Sequence, residues 1–171
     1  MTSEQRRERM LSAIKRSDVP LTGTYLAKLY NVSRQIIVQD IAVLRAAGYD
    51  IIATPQGYIM PRASRPQRIT RVFAVKHGYN EMEDELNSIV DLGGKILDVI
   101  IEHPVYGEFK ARLMMSTRED VACFLTAMHK QEAEPLSALT EGVHLHTVEA
   151  DSETALDQIE EVLKSKGYLL K

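Results

Sequence analysis

The sequence predicts an α+β protein in two parts: a winged helix-turn-helix over residues 1–60 and, after a basic linker at 61–68, a ferredoxin-like βαββαβ domain over 69–171 with an extra C-terminal helix. Three observations predict this. Up to Gly48 helical periodicity dominates, with only Asn31 to Ser33 between two of the helices. From Ile69 onward strand alternation and helical spacing take turns. Charge divides at the same place: residues 1–68 hold eleven Lys and Arg against five Asp and Glu, a net +6, while residues 69–171 hold ten against nineteen, a net −9, giving the −3 of the whole chain.

In the first part, Glu4 to Arg16 sets Met10, Leu11 and Ile14 at helical spacing, and Pro20 stops anything begun there. Thr22 is a good N-cap for a second helix, Gly23–Tyr30, with Leu26 and Leu29 on one face, and Asn31 suits the left-handed residue that closes it. Ser33 caps a third, Arg34–Ala47, in which Ile37, Ile41 and Leu44 fall at i, i+4 and i+7 before Gly48. Ile51–Ile52, a turn at Thr54–Gly57 and Tyr58–Met60 read as strand, turn, strand, a wing. Pro61–Arg68, with two prolines and three arginines, is semi-rigid and basic, suited to touching a DNA backbone and to ordinary solubility alike.

In the second part, Ile69–Lys76 alternates as a strand, Glu81–Asp91 is helical with Leu86, Ile89 and Val90 inward, and Gly93–Gly94 closes it. Lys95–His103, a turn at Pro104–Gly107 and Glu108–Met115 form a hairpin. Ser116 with Glu119 makes a capping box for a helix carrying Val121, Phe124, Leu125 and Met128. Val143–Glu149 is the fourth strand; a helix at Ser152–Lys166 and a short strand at Tyr168–Leu170 follow.

Composition excludes several classes. A hydrophobic share of 44% and a charged share of 26% describe an ordinary globular protein. No apolar run approaches the roughly 20 residues needed to cross a bilayer, and the charged start MTSEQRRERM is unlike a signal peptide, so the expected location is the cytoplasm with no membrane partner. The single Cys123, in VACFL, cannot form an internal disulfide and reads as a small buried hydrophobe on a helix.

The tight second and third helices predict a DNA-reading pair, the third helix entering the major groove of double-stranded operator DNA. With Ile37, Ile41 and Leu44 turned inward, its opposite N-terminal surface offers Arg34, Gln35, Ile36 and Gln39. Arg forks onto guanine, Gln pairs with adenine and Ile meets a thymine methyl. Ser33, at the positive end of the helix, is placed to hold a phosphate. A positive first part beside a negative second fits a chain in which only the first faces phosphates.

His144 and His146 stand two apart on a strand, so both imidazoles leave one face. His77 ends the first strand of that part and Glu85 lies in the next helix, from which both can approach the His-x-His strand, although Glu81, Glu83 and Asp84 compete for the carboxylate place. Three imidazoles and one carboxylate suit a divalent transition metal such as zinc or nickel; the alternative is a surface histidine pair. His129, in the polar end of a helix, reads as an exposed residue.

The run NVSRQIIVQDIAVLRAAGYDIIATPQGYIM resembles the winged helix-turn-helix that opens biotin-operon-repressor-like regulators. HGYNEMEDELNSIVDLGGKILDVIIEHPVYG and PLSALTEGVHLHT resemble the three-histidine domain of bacterial nicotinate-responsive repressors. That resemblance implies a divalent metal on His77, Glu85, His144 and His146, with nicotinic acid as co-repressor of genes for NAD biosynthesis or niacin uptake; His103 is the other histidine of its pattern, and the turn there either lines the effector pocket with Tyr106 or shapes the hairpin. The alternative is a winged-helix regulator that senses another small metabolite or the metal itself. A metal-dependent enzyme is the weakest reading, since no nucleophile–base pair accompanies the histidines. Because one reading helix covers a half-site, a homodimer is expected.

Overall fold

A computed structural model describes residues 1–61 and 68–171, and the chain falls into two compact units, Met1–Arg65 and Pro66–Lys171. Apart from Pro61 and Arg68, the predicted linker, with Arg62 and Arg65, lies outside the described residues. No helix among the described residues is long and apolar enough to cross a membrane.

The first unit contains α1 (Ser3–Arg16), α2 (Gly23–Tyr30), α3 (Arg34–Ala46), β1 (Ile52–Thr54) and β2 (Gly57–Ile59). Thr22 and Ser33 cap α2 and α3 through their hydroxyls, and Asn31 closes α2 in the left-handed conformation at φ 53°. Met10, Ile14, Leu26, Ile37, Ile41 and Leu44 form the core. Leu29 does not join it. The buried arc of α2 runs from Leu26 to Ala27, and Leu29 lies about 60° to the other side of Leu26. The wing strands pair antiparallel, and Leu21 exchanges two backbone hydrogen bonds with Tyr58, anchoring β2 to the segment before α2. A buried carboxylate ties α1 to the reading helix: Asp40 accepts from Arg6 Nε at 2.6 Å and Nη2 at 3.2 Å.

In the second unit β3 (Ile69–Lys76), α4 (Met82–Val90), β4 (Lys95–His103), β5 (Gly107–Met115), α5 (Arg118–Lys130), β6 (Val143–Ala150) and α6 (Glu153–Ser165) follow the βαββαβα order of the sequence reading, with 3-10 turns at Tyr79–Glu81 and Leu136–Thr140. The sheet is antiparallel with lateral order β3-β6-β4-β5. A split βαβ is present, but β6 rather than β5 lies between β3 and β4, a refinement of the ferredoxin-like expectation. Its consequence is local: the His-x-His strand pairs directly with the strand that ends at His77.

Phe73, Val75, Ile96, Val148 and Ala150 on one sheet face pack with Leu86, Ile89, Leu156 and Ile159 from the helices. Two local expectations are corrected. The capping box of α5 begins at Thr117 with Asp120, whose carboxylate accepts from the Thr117 backbone, one residue later than Ser116 with Glu119. Cys123 is exposed, because it lies about 200° around α5 from the buried Val121.

Candidate metal centre and DNA-reading helix

Strand alternation carries Phe73 and Val75 inward and continues to His77, just beyond β3; on β6 it turns His144 and His146 to the same side. The register sets Val75 opposite His144 and Phe73 opposite His146. Glu85 comes down from α4 onto the three rings. It is the carboxylate that completes the group, and its side chain is fully buried. His77 Nε2 stands 2.9 Å and His144 Nε2 3.9 Å from Glu85 Oε2, and His146 Nε2 stands 3.3 Å from Oε1. Ligand atoms of His77, Glu85 and His144 all lie within 4.8 Å of one another.

The rings are oriented from behind. Each Nδ1 faces a backbone carbonyl: His77 that of Gly78 at 2.8 Å, His144 that of Gly142 at 2.8 Å and His146 that of Asp98 at 2.7 Å. A carbonyl only accepts, so each Nδ1 donates its proton and each Nε2 lone pair is left for the cluster. A register shift in β4 around Asp98 frees that carbonyl for His146 and lets the Asp98 carboxylate accept from the Thr147 N–H at 3.0 Å. At Gly142, with φ +90°, a Cβ would collide with the His77 carbonyl oxygen, so the start of β6 and the end of β3 meet as closely as glycine allows.

Lone pairs facing a carboxylate require a cation between them, a proton or a metal ion. Burial disfavours a charged His77, but the hydrogen bond and charge of Glu85 outweigh it and raise its pKa above the usual histidine value; the same contest raises that of His146. Burial also works against an ionised Glu85, and the charge of the facing His146, with the polar contacts of the other two rings, holds its pKa well below the carboxylate range. Glu85 Oε1 still has no hydrogen-bond partner. An orphaned buried carboxylate oxygen among three pre-oriented imidazoles fits a divalent ion of borderline softness, and the carbonyls behind the rings are the outer-shell acceptors such sites use.

The C-terminal segment braces the centre. Tyr168 sets its ring edge-on to His77, centroids 5.4 Å apart, and donates its hydroxyl proton to Asp84 at 2.7 Å, while Lys166 donates to Asp84 and Ser88. Asp84 therefore anchors α4 and does not join the histidine cluster. Sequence reading missed this brace because nothing local links residues 84 and 168; the chain merely shows a polar cluster beside Glu85.

All four candidate ligands line a cavity of about 300 Å³ whose remaining wall is largely apolar, with Met82, Val99, Phe124, Met128 and Leu136 on it. Phe124 and Met128 entered the sequence reading only as helix-packing residues. His103 and Tyr106 are not in this wall. His103 Nδ1 accepts the backbone N–H groups of Val105 and Tyr106, its ring packs on Tyr106 and Phe109, and Tyr106 is 74% exposed at the tip of the β4–β5 hairpin. Within the chain they shape the turn.

On α3, Arg34, Gln35 and Gln39 are exposed while Ile37, Ile41 and Leu44 are buried. Ile36 is half-buried, and Val38 is a further exposed apolar residue that sequence reasoning did not single out. The Ser33 hydroxyl accepts from the Ile36 N–H at 3.3 Å, so it is the helix cap as well as a candidate phosphate contact.

Residues 70–171 match the 3H domain family, and residues 6–59 match a family of HTH domains. The chain is 46% identical over 169 residues to the probable transcription repressor NiaR of Thermotoga maritima, covering 97% of this chain and 95% of that protein. To the transcription repressor NadR of Bacillus subtilis it is 46% identical over 168 residues, covering 97% and 93%. An uncharacterized protein of Methanothermus fervidus is 30% identical over 103 residues, 56% of this chain and 16% of its own length.

Proposed function

The chain belongs to the 3H-domain family of helix-turn-helix transcription repressors, and we propose that it represses as a homodimer holding a divalent metal, zinc or nickel, with nicotinic acid as co-repressor of genes for NAD biosynthesis or niacin uptake. Membership makes it a DNA-binding repressor and not an enzyme. The finer reading is carried by one observation: three Nε2 atoms converge on Glu85, whose Oε1 has no partner, at the edge of an apolar cavity.

His77, His144, His146 and Glu85 would hold the metal, which when bound supplies a Lewis acid at the cavity edge. Three neutral imidazoles and one carboxylate leave a divalent ion with net positive charge, and the cavity wall offers Phe124 and Met128 to a flat ring. An aromatic ring bearing a carboxylate answers both features. Effector binding favours DNA only if it favours the DNA-binding conformation, and the coupling is reciprocal.

Fluorescence anisotropy of promoter DNA with the metal-loaded protein tests the reading. Added nicotinate should tighten binding, whereas nicotinamide, which lacks the carboxylate, should do so weakly or not at all. Tightening by metal alone, indifferent to nicotinate, would assign the protein to metal sensing instead.

A further inference from the structure

The helices of the second unit cover one face of its sheet, the side of Phe73, Val75, Val148 and the histidines. Among the described residues no helix covers the other. That face is not polar as the solvated side of an antiparallel sheet usually is. Alternation puts Val72 and Ala74 of β3, Leu145 and Thr147 of β6 and Ile100 of β4 on it, and the register lines them up: Val72 opposite Thr147, Ala74 opposite Leu145, Leu145 opposite Ile100. Val72 is 54% exposed and Ala74, Leu145 and Thr147 are half-buried, while Ile100 between its neighbours is already buried.

Charges of both signs rim this strip. Glu102 stands directly opposite Glu108, an unfavourable like-charge pair, and no cation among the described residues pairs with either. Lys110 and Arg112 follow on the same side of β5, both exposed; they flank the buried Asp98, which stands opposite Arg112 and whose carboxylate lies 3.6 Å from Lys110 Nζ, so one positive charge of the pair is left unmatched. An acidic pair beside a region of residual positive charge, along an apolar strip, is complementary to itself turned over, as an isologous two-fold interface requires.

Size agrees. Strands of eight or nine residues, rising about 3.3 Å per residue and spaced about 4.8 Å, give a face of about 27 by 19 Å, roughly 500 Å² in projection. Pleat and side chains bring the accessible area toward the about 800 Å² per partner of a standard interface.

We infer that a second copy of this chain docks on this open sheet face, sheet against sheet about a two-fold axis, with Leu145 central, Val72 toward the β3 edge, and Lys110 and Arg112 meeting Glu102 and Glu108 of the other copy. The inference rests on the homodimer reading and names its surface.

Sedimentation equilibrium on the full chain tests it with two variants. Val72→Asp changes a side chain already largely in solvent, so far-UV circular dichroism and metal content should stay native while the dimer dissociation constant rises at least tenfold. Reversing one rim pair (Lys110→Glu with Arg112→Glu) should also weaken the dimer, and adding Glu102→Lys with Glu108→Lys should restore it. A wild-type dimer that neither Val72→Asp nor the rim reversal weakens would overturn the assigned face and leave the homodimer standing. A wild-type monomer would overturn the homodimer and this inference together. Should Val72→Asp fail to fold, the rim reversal and its restoration decide.

Discussion

Replacing Gly142 by Ala perturbs the metal centre without touching a ligand. The residue sits at φ +90°, where a non-glycine residue costs about 1–2 kcal/mol. Its new Cβ would also overlap the His77 carbonyl oxygen and approach the His77 carbonyl carbon to 3.2 Å, a crowding comparable to overpacking, about 1–3 kcal/mol. Together these give a loss of about 2–5 kcal/mol. Gly107→Ala is the control: φ is +75° with nothing within 4 Å of the added atom, so only the conformational cost of about 1–2 kcal/mol applies. In a domain of about 100 residues each kcal/mol lowers the melting temperature by roughly 4–8 °C. The two variants should differ in metal affinity as well. Gly142 supplies the carbonyl that orients His144, and relieving the clash moves that carbonyl or His77. Loss of an outer-shell contact typically weakens metal binding about 10–100-fold. Thermal melts of both variants, with chelator-competition titrations of zinc and nickel, read the two effects. Equal melting shifts and equal metal affinities for Gly142→Ala and Gly107→Ala would refute the argument.

Further predictions address DNA, pH and effector. Arg34→Ala and Gln35→Ala should weaken operator binding more than random-duplex binding, by about 1–3 kcal/mol for each true base contact; anisotropy on both duplexes checks this, and equal losses would remove these residues from base readout. In chelator-treated protein, His77 and His146, with raised pKa values, contribute stability that is complete below 6.5 and lost as pH rises through their folded values. Glu85, held low, contributes above 4.5 and loses that contribution as pH falls through its folded value. This site therefore favours the metal-free fold between 4.5 and 6.5, while metal binding needs neutral imidazoles; the melting difference between loaded and stripped protein should widen from about pH 6 to about pH 8, and a constant difference would count against histidine ligation. Phe124→Ala should weaken nicotinate binding measured by calorimetry, and Tyr106→Ala should leave it unchanged; the reverse pattern would move the effector to the hairpin.

Much of this architecture is legible in the chain. Caps at Thr22 and Ser33, the left-handed Asn31 and the spacing of Ile37, Ile41 and Leu44 are local signals, and they locate the reading helix to within a residue. The candidate ligands were readable for the same reason: alternation alone puts His144 and His146 on one face. What was illegible is non-local. Lateral strand order depends on how hairpin and helices pack, so the central position of β6 could not be read from its sequence. The orientation of the rings depends on the carbonyls of Gly142 and Asp98, and backbone carbonyls carry no sequence signature. Cys123 was misplaced because VACFL is apolar throughout, which hides the face that α5 turns inward. His103 was legible only as the other histidine of the resembled family's pattern; that its Nδ1 accepts the turn's own N–H groups is a backbone contact the sequence does not show.

The proposal that His77, Glu85, His144 and His146 form a metal centre is tested most directly by elemental analysis of the purified protein beside a His144→Ala, His146→Ala double variant. The wild type should carry about one zinc or nickel ion per chain and the variant essentially none, with the helix-turn-helix unit still folded because its core around Leu26 and Ile37 is its own. Equal metal content in the two proteins, or a wild type that takes up no divalent ion after incubation and dialysis, would contradict it.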